Sequence, residues 1–387
     1  MAKEPFIISL MDKIDEAGLE RLRRNKRFVI ENEAKDPHAI IVRSRKLTES
    51  AMQSPRLACV ARAGSGVDNI PVPAASARGI AVFNAPGANA NAVKEAVMGS
   101  MIALSRHLLP ASISLRENTA VDRSKFVGSE ILGHTLGIVG LGQIGQRVAH
   151  AALGLGMRVI GYDKYLNVPM ALRLPPEMTV ADDVETVLEE ADILTLHVTL
   201  TEETRNMIDA ETLGKMKKGV FVINFARAEI VNAKDMRASL DAGHVAGYAT
   251  DFPMEEFKGA DHVLMTPHIG ASTREAQVNC ADMAAESVAE YLLHGTVRYS
   301  VNFPSLQLQR SRGAERLVYT NDNVPGMIGQ VSAVLAHSGV NILGMANQSN
   351  AEVGYSIVDC APTPSAQVLG AIRGIKGVRM VRLVDAG

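Results

Sequence analysis

The stretch Leu136-Gly-Ile-Val139-Gly140-Leu-Gly142-Gln-Ile-Gly145 decides how this chain should fold. Its first four residues predict a buried strand, and residues 146–153 continue with a helical pattern. The glycines between them have the G-x-G-x-x-G spacing of a dinucleotide-binding turn. Gly140 permits the tight turn, Gly142 lets the backbone approach a pyrophosphate, and Gly145 lets helix and strand pack closely. The pyrophosphate would lie at the helix N-terminus, where backbone N–H groups are free.

An aspartate at the end of the next predicted strand, 158–161, bears on the choice of cofactor. Asp163 is placed to accept hydrogen bonds from a ribose hydroxyl of the adenosine. A carboxylate there would repel a 2′-phosphate, so the sequence favours NAD over NADP, although Lys164 beside it weakens the preference. The alternative is a glycine-rich turn that binds no nucleotide. The complete strand, turn, helix and strand context argues against that alternative.

Composition excludes several classes of protein. The chain has 387 residues, 47% of them hydrophobic and 21% charged, as in a soluble globular protein. The formal net charge of −2 offers no basic excess for nucleic acid. Cys59, Cys280 and Cys360 lie far apart, which argues against a disulfide scaffold and a structural zinc site. Neither a signal peptide nor an apolar run long enough to span a membrane is evident, so we expect a cytoplasmic protein without metal.

Short apolar runs alternate with helical patterns, which predicts an α/β architecture with parallel sheets. The candidate strands before residue 305 are 6–10, 39–42, 59–61, 81–83, 136–139, 158–161, 193–197, 220–224, 247–250 and 263–265. Because the glycine turn begins late in the chain, we predict a Rossmann-type doubly wound domain over 96–283. It would be inserted in a flavodoxin-like α/β substrate domain formed by 1–95 and 284–304. A cleft between two such domains is a usual place for a small-molecule site.

The last part of the chain predicts a separate small domain. Residues 305–313 are polar without periodicity and are interpreted as a linker. Residues 314–387 then show strand, helix, two strands, helix and strand. This βαββαβ order is the ferredoxin-like plan.

Several motifs carry a resemblance to a known family. They are Arg62-Ala-Gly-Ser-Gly-Val-Asp-Asn69, Val82-Phe-Asn-Ala-Pro86, Ala191-Asp-Ile-Leu-Thr-Leu-His197, Ile223-Asn-Phe-Ala-Arg227, Thr250-Asp251-Phe252 and Thr266-Pro-His-Ile-Gly-Ala-Ser-Thr273. In their order and number they resemble the D-isomer-specific 2-hydroxyacid dehydrogenases over nearly the whole chain. Asn321-Asp-Asn-Val-Pro-Gly326 and Gly339-Val-Asn-Ile342 resemble an ACT domain, a small effector-binding module.

The resemblance implies an NAD-dependent oxidation and the residues that carry it. Such a reaction needs a cation for the substrate carboxylate and a base for the hydroxyl proton, while NAD accepts the hydride. The family assigns the carboxylate clamp to Arg227 and the base to His268, residue types suited to these roles. The carboxylate partner of His268 would be Glu256 in an ungapped match, or Glu255 with a one-residue gap.

Other motif residues are implied to contact the cofactor. Asp251 looks like the family residue that hydrogen-bonds the nicotinamide carboxamide. His197 lies in the histidine-containing loop near the cofactor, where Thr199 replaces the proline common in the family. Further contacts are expected at Gln143, Ile144, Phe225, Ala226, Gly270 and Ala271.

A phosphorylated hydroxy acid needs cations beyond the carboxylate clamp. The candidate substrate residues are Arg43, Arg45, Arg62, Ser65, Gly66 and Asn84, together with Arg227. The first three follow predicted strands of the first domain, and the glycine segment offers backbone N–H groups to anions. Ordinary surface arginines are the alternative. With the ACT-like module, these arginines favour 3-phosphoglycerate as the substrate.

In related ACT domains, an amino acid binds between two subunits. The matching positions here are Asn321, Asn323 and Asn341, and several serine-sensitive relatives carry histidine where Asn321 stands. Asparagine can still donate and accept, so L-serine remains a possible effector. The alternative is a module that only dimerises the protein. We expect a homodimer or a homotetramer.

Two other functions stay open at this point. One is a related dehydrogenase acting on glyoxylate, hydroxypyruvate or D-lactate. The other is a non-catalytic scaffold that senses NAD. The arginines that suit a phosphate argue against the first, and the retained Arg227, Glu256 and His268 argue against the second.

Overall fold

The computed structural model describes residues 4–117, 121–260 and 262–384. These residues form two compact units. The first unit joins Met1–Asn89 to Arg274–Gly387, and the second unit is Ala90–Thr273.

The elements are numbered in chain order. The strands are β1 Phe6–Leu10, β2 Phe28–Asn32, β3 Ala39–Val42, β4 Cys59–Arg62, β5 Ala81–Phe83, β6 Thr135–Val139, β7 Arg158–Tyr162, β8 Thr179–Val180, β9 Ile193–Leu196, β10 Val220–Asn224, β11 Val245–Thr250, β12 Val263–Met265, β13 Glu315–Asp322, β14 Asn341–Ser349, β15 Val353–Ala361 and β16 Val378–Val384. The helices are α1 Glu20–Arg24, α2 Val72–Ala77, α3 Ala90–Ser105, α4 Leu108–Glu117, α5 Gln143–Gly154, α6 Val168–Ala171, α7 Val184–Glu190, α8 Ala210–Lys215, α9 Ala233–Asp241, α10 Arg274–His294, α11 Met327–His337 and α12 Ala366–Arg373.

The second unit is built on a parallel sheet with the order β12-β11-β10-β9-β6-β7-β8. The chain starts in the middle at β6, extends through β7 and β8 on one side, and then returns to β9 on the other side. Strand β6 (TLGIV) is buried along its whole length, as expected for a parallel strand covered on both faces. This order is that of the doubly wound nucleotide-binding fold, so the Rossmann-type prediction is confirmed.

The first unit begins with a parallel sheet of order β2-β1-β3-β4-β5. Numbered from its own start, this is the 2-1-3-4-5 order of flavodoxin-like folds. Leu19, Leu22 and Ala284 are fully buried where the segment before β2 and helix α10 cover one face of the sheet. Asn302 attaches the segment after α10 to β5. Its side-chain amide accepts from the Val82 N–H and donates to the Ile80 carbonyl.

The C-terminal module has the predicted βαββαβ order and an antiparallel sheet, β14-β15-β13-β16. Helices α11 and α12 cover one face through a cluster that includes Val331, Leu335 and Ile372. Residues on the other face, such as Tyr355, belong to the same apolar cluster as Phe83 and Tyr291 of the first unit. The module therefore shares a core with the flavodoxin-like sheet.

The structure differs from the sequence-based boundaries in three respects. The division between units lies at 89/90 and 273/274 rather than at 95/96 and 283/284, because α3 packs on α5 and α10 packs on α1 and β4. The module predicted as a separate domain falls in the first unit, because it shares that core. The structure also adds two edge strands: β2, three of whose five residues are exposed, and β8, whose two residues are both exposed.

Among the helices of the described segments, no single one is long and apolar enough to cross a membrane. Helices α3 and α4 meet the length and composition test only as a pair, and that pair is bent by 65°.

A buried ion pair joins the C-terminal module to α10. Arg316 and Asp359 are 1% and 0% exposed in their side chains, and their two hydrogen bonds measure 2.7 and 3.0 Å. Arg316 also donates to the carbonyl of His294, and the Tyr355 hydroxyl donates to the carbonyl of Gly295. Burial raises the pKa of Asp359, but the hydrogen bonds from Arg316 and from the Ser311 N–H, together with the nearby arginine charges, outweigh burial and lower the pKa overall. These groups satisfy carbonyls at the end of α10 that the helix itself leaves unpaired.

Arg316→Met should lower the free energy of unfolding by about 3–5 kcal/mol, the usual loss when one partner of a buried ion pair is removed. The Asp359 carboxylate would stay buried without its cation, and the His294 carbonyl would lose a donor. Urea denaturation of the full chain measures the change.

Arg373→Met is the matched control, because Arg373 lies in the same module on an exposed position of α12. It should change the free energy of unfolding by less than about 0.5 kcal/mol. Equal stability of the two variants would show that the ion pair does not hold the module in place.

Candidate active site

One row of hydrogen-bonded residues crosses the sheet of the second unit. In sheet order from β12 to β7, its members are Met265, Thr250, Asn224, Leu196, Val139 and Tyr162. The residues that follow them in the chain are Thr266, Asp251, Phe225, His197, Gly140 and Asp163. Because the strands are parallel, these six positions lie side by side at one edge, where ligands of open α/β sheets bind. The register thus brings together predicted cofactor residues that are far apart in the sequence.

The glycine turn fits a pyrophosphate. Gly140 has a φ of 99°, and a Cβ there would lie 2.7 Å from the carbonyl oxygen of His197. Helix α5 begins after Gly142, which gives it no side-chain cap, and a Cβ on Gly142 would meet only open space. The first N–H groups of the helix are thus available to an anion above the turn. Gly145 packs so close to Gly140 that a side chain would collide with its carbonyl oxygen.

Asn224 sets the conformation of the loop that carries Arg227. Its side chain is fully buried, accepts from the Ala226 N–H at 3.1 Å and donates to the Arg227 carbonyl at 2.8 Å. Arg227 itself is half-buried, and its guanidinium donates to the carbonyl of Ala226 at 2.7 Å. Asn224 was not among the predicted site residues, although an asparagine ending an apolar strand is a signal for such a loop.

Asp251 holds the loop that carries His268. Its carboxylate, which is almost fully buried, accepts from the Thr266 hydroxyl at 2.6 Å and from the N–H groups of Ile269 and Gly270 at 2.7 Å. Its backbone carbonyl accepts from the His268 N–H at 2.9 Å. His268 has a φ of 56°, in the left-handed region that non-glycine residues rarely occupy. These four bonds support that strained conformation on both sides of the histidine.

The structure separates the two candidate glutamates. The ring of His268 is exposed and packs against the edge of Phe252, 5.2 Å between centroids. In the described chain it makes no hydrogen bond to Glu255 or Glu256. Glu255 forms an ion pair of 2.7 Å with Lys258, whereas only the backbone carbonyl of Glu256 is bonded. The Glu256 carboxylate thus has no bonded partner among the described residues, and its pairing with His268 stays a prediction.

His197 is a neutral histidine at the same edge. Its Nε2 lies 3.0 Å from the Thr195 hydroxyl, and its Nδ1 is buried without a hydrogen-bond partner among the described residues. Burial lowers the pKa of His197 to about 3. The ring is thus uncharged near neutral pH, and it cannot act there as a cation toward a phosphate.

The predicted substrate arginines of the first unit differ in their contacts. Arg45 forms an ion pair of 2.6 Å with Glu33. Arg62 donates to the carbonyls of Arg43 at 3.0 Å and Gly66 at 2.5 Å, so its guanidinium supports the loops. Arg43 is half-buried, and its guanidinium has no bonded partner within the ranges that the structure describes. Of the three, Arg43 has the side chain most available to a ligand.

The loop after β3 is anchored by a residue that the sequence did not single out. Asp12 follows β1, the strand next to β3, and its carboxylate accepts from the N–H groups of Arg43, Ser44 and Arg45 at 2.7 to 3.1 Å. The side chain that fixes Arg43 thus comes from the adjacent strand end. Only the sheet order reveals this pairing.

The glycine segment after β4 keeps donors free for an anion. Asn84 donates to the Ser65 carbonyl at 2.5 Å, and the Ser65 hydroxyl lies 2.7 Å from Oδ1 of Asn89. The N–H groups of Ser65 and Gly66 make no hydrogen bond within the described chain. Asn84 therefore supports this loop through its side chain.

The three asparagines of the C-terminal module do not meet within one chain. Asn321 pairs with Gly354 at the start of β15, and Asn341 pairs with Ala361 at its end. These partners are seven residues apart on one strand, or roughly 24 Å at 3.4 Å per residue. Asn323 donates to the Asn350 carbonyl near the Asn321 end. Within one module, Asn321 at the end of β13 and Asn341 at the start of β14 are thus held apart, because β13 and β14 run parallel to each other on either side of β15.

Comparison with known proteins identifies the class. A sequence model of the D-isomer specific 2-hydroxyacid dehydrogenase, NAD binding domain, matches residues 98–270, which lie within the second unit. Together with the relatives described next, this match shows that the chain belongs to the D-isomer-specific 2-hydroxyacid dehydrogenase family. The family and the NAD cofactor predicted from the sequence are thereby confirmed.

Within the family, the chain is similar to D-3-phosphoglycerate dehydrogenases. It is 30% identical to that of Haemophilus influenzae, over 97% of this chain and 94% of the relative. It is 38% identical to that of Bacillus subtilis, over 78% of this chain and 60% of the relative, and 36% identical to that of Synechocystis, over 77% and 56%. The chain thus spans less than two thirds of the length of the last two relatives.

A solved structure gives the same class. The chain superposes on the NAD-bound 3-phosphoglycerate dehydrogenase of Entamoeba histolytica with a TM-score of 0.64 and 27% identity, over 78% of this chain and all of that one. It also superposes on D-2-hydroxyisocaproate dehydrogenase with a TM-score of 0.69 at 22% identity, a likeness of fold alone.

Acid should destabilise the wild type more than a His197→Gln variant. An unfolded histidine takes up a proton near pH 6.5, whereas His197 in the folded chain does so only near about 3. Between these values only the unfolded state binds the proton, so the free energy of unfolding falls as the pH falls. The histidine contributes up to about 1.4 kcal/mol per pH unit to this fall. Urea denaturation at pH 4.5, 5.5 and 6.5 measures it.

The same pair of proteins at pH 7.5 and 8.5 provides the control. Above the pKa of an unfolded histidine neither state is protonated, so the difference between the two proteins should stay constant. Parallel stability curves from pH 8.5 down to 4.5 would show that His197 is not held neutral by burial.

Proposed function

We propose that the protein oxidises 3-phospho-D-glycerate to 3-phosphohydroxypyruvate with NAD, the first step of serine biosynthesis. The observation that carries this proposal is the single edge at which the loops bearing Arg227, Asp251 and His268 follow adjacent strands β10, β11 and β12. The names of the relatives support the substrate. The cytoplasmic location expected from the sequence is part of the same proposal.

The residues of the candidate site have the following proposed roles. Arg227 binds the substrate carboxylate, for which a guanidinium offers two parallel donors. His268 takes the proton from the substrate hydroxyl while the hydride leaves the carbon that bears this hydroxyl. Glu256 stabilises the imidazolium that results. Bound NAD supplies the hydride acceptor. Asp251 keeps the histidine loop in place and, through the family resemblance, remains the candidate for the nicotinamide carboxamide.

The phosphate is proposed to bind in the first unit. Arg43 offers the half-buried guanidinium described above, and the N–H groups of Ser65 and Gly66 add uncharged donors for an anion. A 2-hydroxy acid without a phosphate would leave Arg43 unpaired. A preference for the phosphorylated acid would therefore distinguish the proposed enzyme from one that acts on D-lactate or glyoxylate. Formation of NADH would distinguish it from a scaffold that only senses NAD.

Arg43→Met should reduce kcat/KM for 3-phosphoglycerate by about 10–100-fold, the range expected when a charged hydrogen-bond partner is lost. The kcat/KM for D-glycerate, which has no phosphate, should change less than about twofold, since it loses no such bond. NADH formation followed by absorbance with both acids measures the selectivity.

Two further variants serve as comparisons for Arg43→Met. Arg45→Met is the matched control, because its guanidinium is already paired with Glu33, and it should keep the wild-type selectivity. His268→Asn should lower kcat by about 10²–10⁴-fold with both acids, as expected for a proton-transferring residue. A wild type that prefers D-lactate, or forms no NADH with any hydroxy acid, would contradict the proposed function.

We also propose that the chain works as a homodimer or homotetramer. Helix α4 buries none of its residues and exposes Leu108, Leu109, Ile113 and Leu115. A cavity of about 380 Å³ beside it is lined by Leu109, Ile113 and mainly apolar neighbours. Contiguous apolar surface of this kind is characteristic of an interface.

An L-serine site in the C-terminal module needs a second copy for a geometric reason. Asn323 and Asn341 lie near opposite ends of β15 in one module, so a small amino acid can touch both only if they come from different chains. The interpretation of the module as an ACT domain stays part of this proposal. The dimer and the effector site are thus linked.

Leu109→Glu with Ile113→Glu should convert the protein to a monomer, because two charges on the α4 face would have to be buried without partners. Light scattering after size-exclusion chromatography measures the mass. Leu172→Glu is the control, since Leu172 is 81% exposed elsewhere in the same unit. A double variant that retains the wild-type oligomer would exclude α4 from the interface.

A further inference from the structure

The end of β7 presents two opposite charges to the cofactor. Asp163 accepts from the N–H groups of Leu141 and Tyr165, both at 2.8 Å, so its carboxylate is fixed beside the glycine turn. Lys164 follows directly and is exposed. In dinucleotide sites a cation at this position can accommodate the 2′-phosphate of NADP. Asp163 alone therefore does not explain a preference for NAD.

A second acidic residue neutralises Lys164. Its ammonium lies 2.5 Å from Oε2 of Glu203 and 5.8 Å from the centroid of the Tyr165 ring. The hydrogen bond to Glu203 raises the pKa of Lys164, which favours the charged form of the lysine. Glu203 belongs to the loop after β9, the strand on the other side of β6 from β7. The contact therefore spans the point at which the strand order reverses, between β6–β7 on one side and β9 on the other.

The loop that carries Glu203 is held by its own threonines. The N–H of Thr201 donates to the Thr204 hydroxyl at 2.8 Å, and the N–H of Thr204 donates to the Thr201 hydroxyl at 3.2 Å. The Thr204 hydroxyl also donates to the carbonyl of Thr199 at 2.7 Å. These bonds close a turn around Glu203 and limit where its side chain can reach. The backbone from which the Glu203 side chain extends is thus held in one conformation.

We propose that Glu203 is a specificity-determining residue that excludes NADP by holding Lys164 away from a 2′-phosphate and by adding a negative charge beside Asp163. The ribose hydroxyls of NAD need only the Asp163 carboxylate and lose nothing. A 2′-phosphate meets two carboxylates and a lysine that is already paired. This inference rests on NAD as the cofactor and not on the identity of the hydroxy acid.

The test is fluorescence titration of the full-length protein with NADH and with NADPH, in the absence of substrate. In Glu203→Gln the amide keeps the size of the side chain and releases Lys164. The Kd for NADPH should fall about three- to fivefold, the range for exposed ion pairs, while the Kd for NADH stays within about twofold. The gain should shrink as salt is raised, because exposed charges are screened.

Two matched variants make the result specific. Glu202→Gln removes the same charge from the neighbouring exposed residue, and it should leave both affinities unchanged. Adding Lys164→Met to Glu203→Gln should abolish the gain in NADPH affinity. An unchanged ratio of the two affinities in Glu203→Gln, or an equal gain in Glu202→Gln, would overturn the inference. Normal NADH binding without oxidation of 3-phosphoglycerate would contradict only the proposed function.

Discussion

Parallel pairing in a single register is the constraint on which the site depends. Six of the seven strands of the second unit, all but β8, end in the same row, so the residue that follows each of them lies at one edge, whatever its distance along the chain. A shift by one residue would turn Asp251 or His197 to the other face of its strand. The buried apolar residues of β6, β9 and β10 resist such a shift, because both faces of these strands are covered. Packing of the core thus fixes the chemistry at the edge.

Buried polar side chains then carry that order from the strands into the loops. Asn224 and Asp251 are almost wholly removed from water, and a buried polar group without a partner costs about 1–3 kcal/mol. Each side chain has its bonds only when the following loop adopts one conformation, which orients Arg227 and His268. Asp12 acts in the same way on the arginine loop of the first unit. Side chains with no proposed substrate contact therefore determine the arrangement of those that are proposed to bind the substrate.

The sequence predicted much of this because its signals are local. The glycine turn, Asp163 and the apolar runs each specify a neighbourhood, and the order of motifs identified the family. Contacts between distant elements carry no local signal. The Asp12 bonds to the loop after β3, the Glu203 contact with Lys164 and the distance between Asn321 and Asn341 follow only from strand order. The edge strand β8, two residues long, is too short to show a periodicity. The shared core of the C-terminal module was missed for the same reason, since Tyr355 and Val384 look like core residues of any small domain.

That shared core changes how a ligand of the module could act on the rest of the unit. A domain on a flexible tether can bind its ligand without any effect on its neighbour, because no contact between the two transmits the change in conformation. Here Arg316, Tyr355 and Arg382 bond the carbonyls at the end of α10, and the module contributes to the apolar cluster beneath β4 and β5. A ligand that favours one arrangement of the module must therefore favour one arrangement of α10 as well, and the coupling is reciprocal. Because packed cores have discrete arrangements rather than continuous ones, such coupling would take the form of a shift between two states of the first unit.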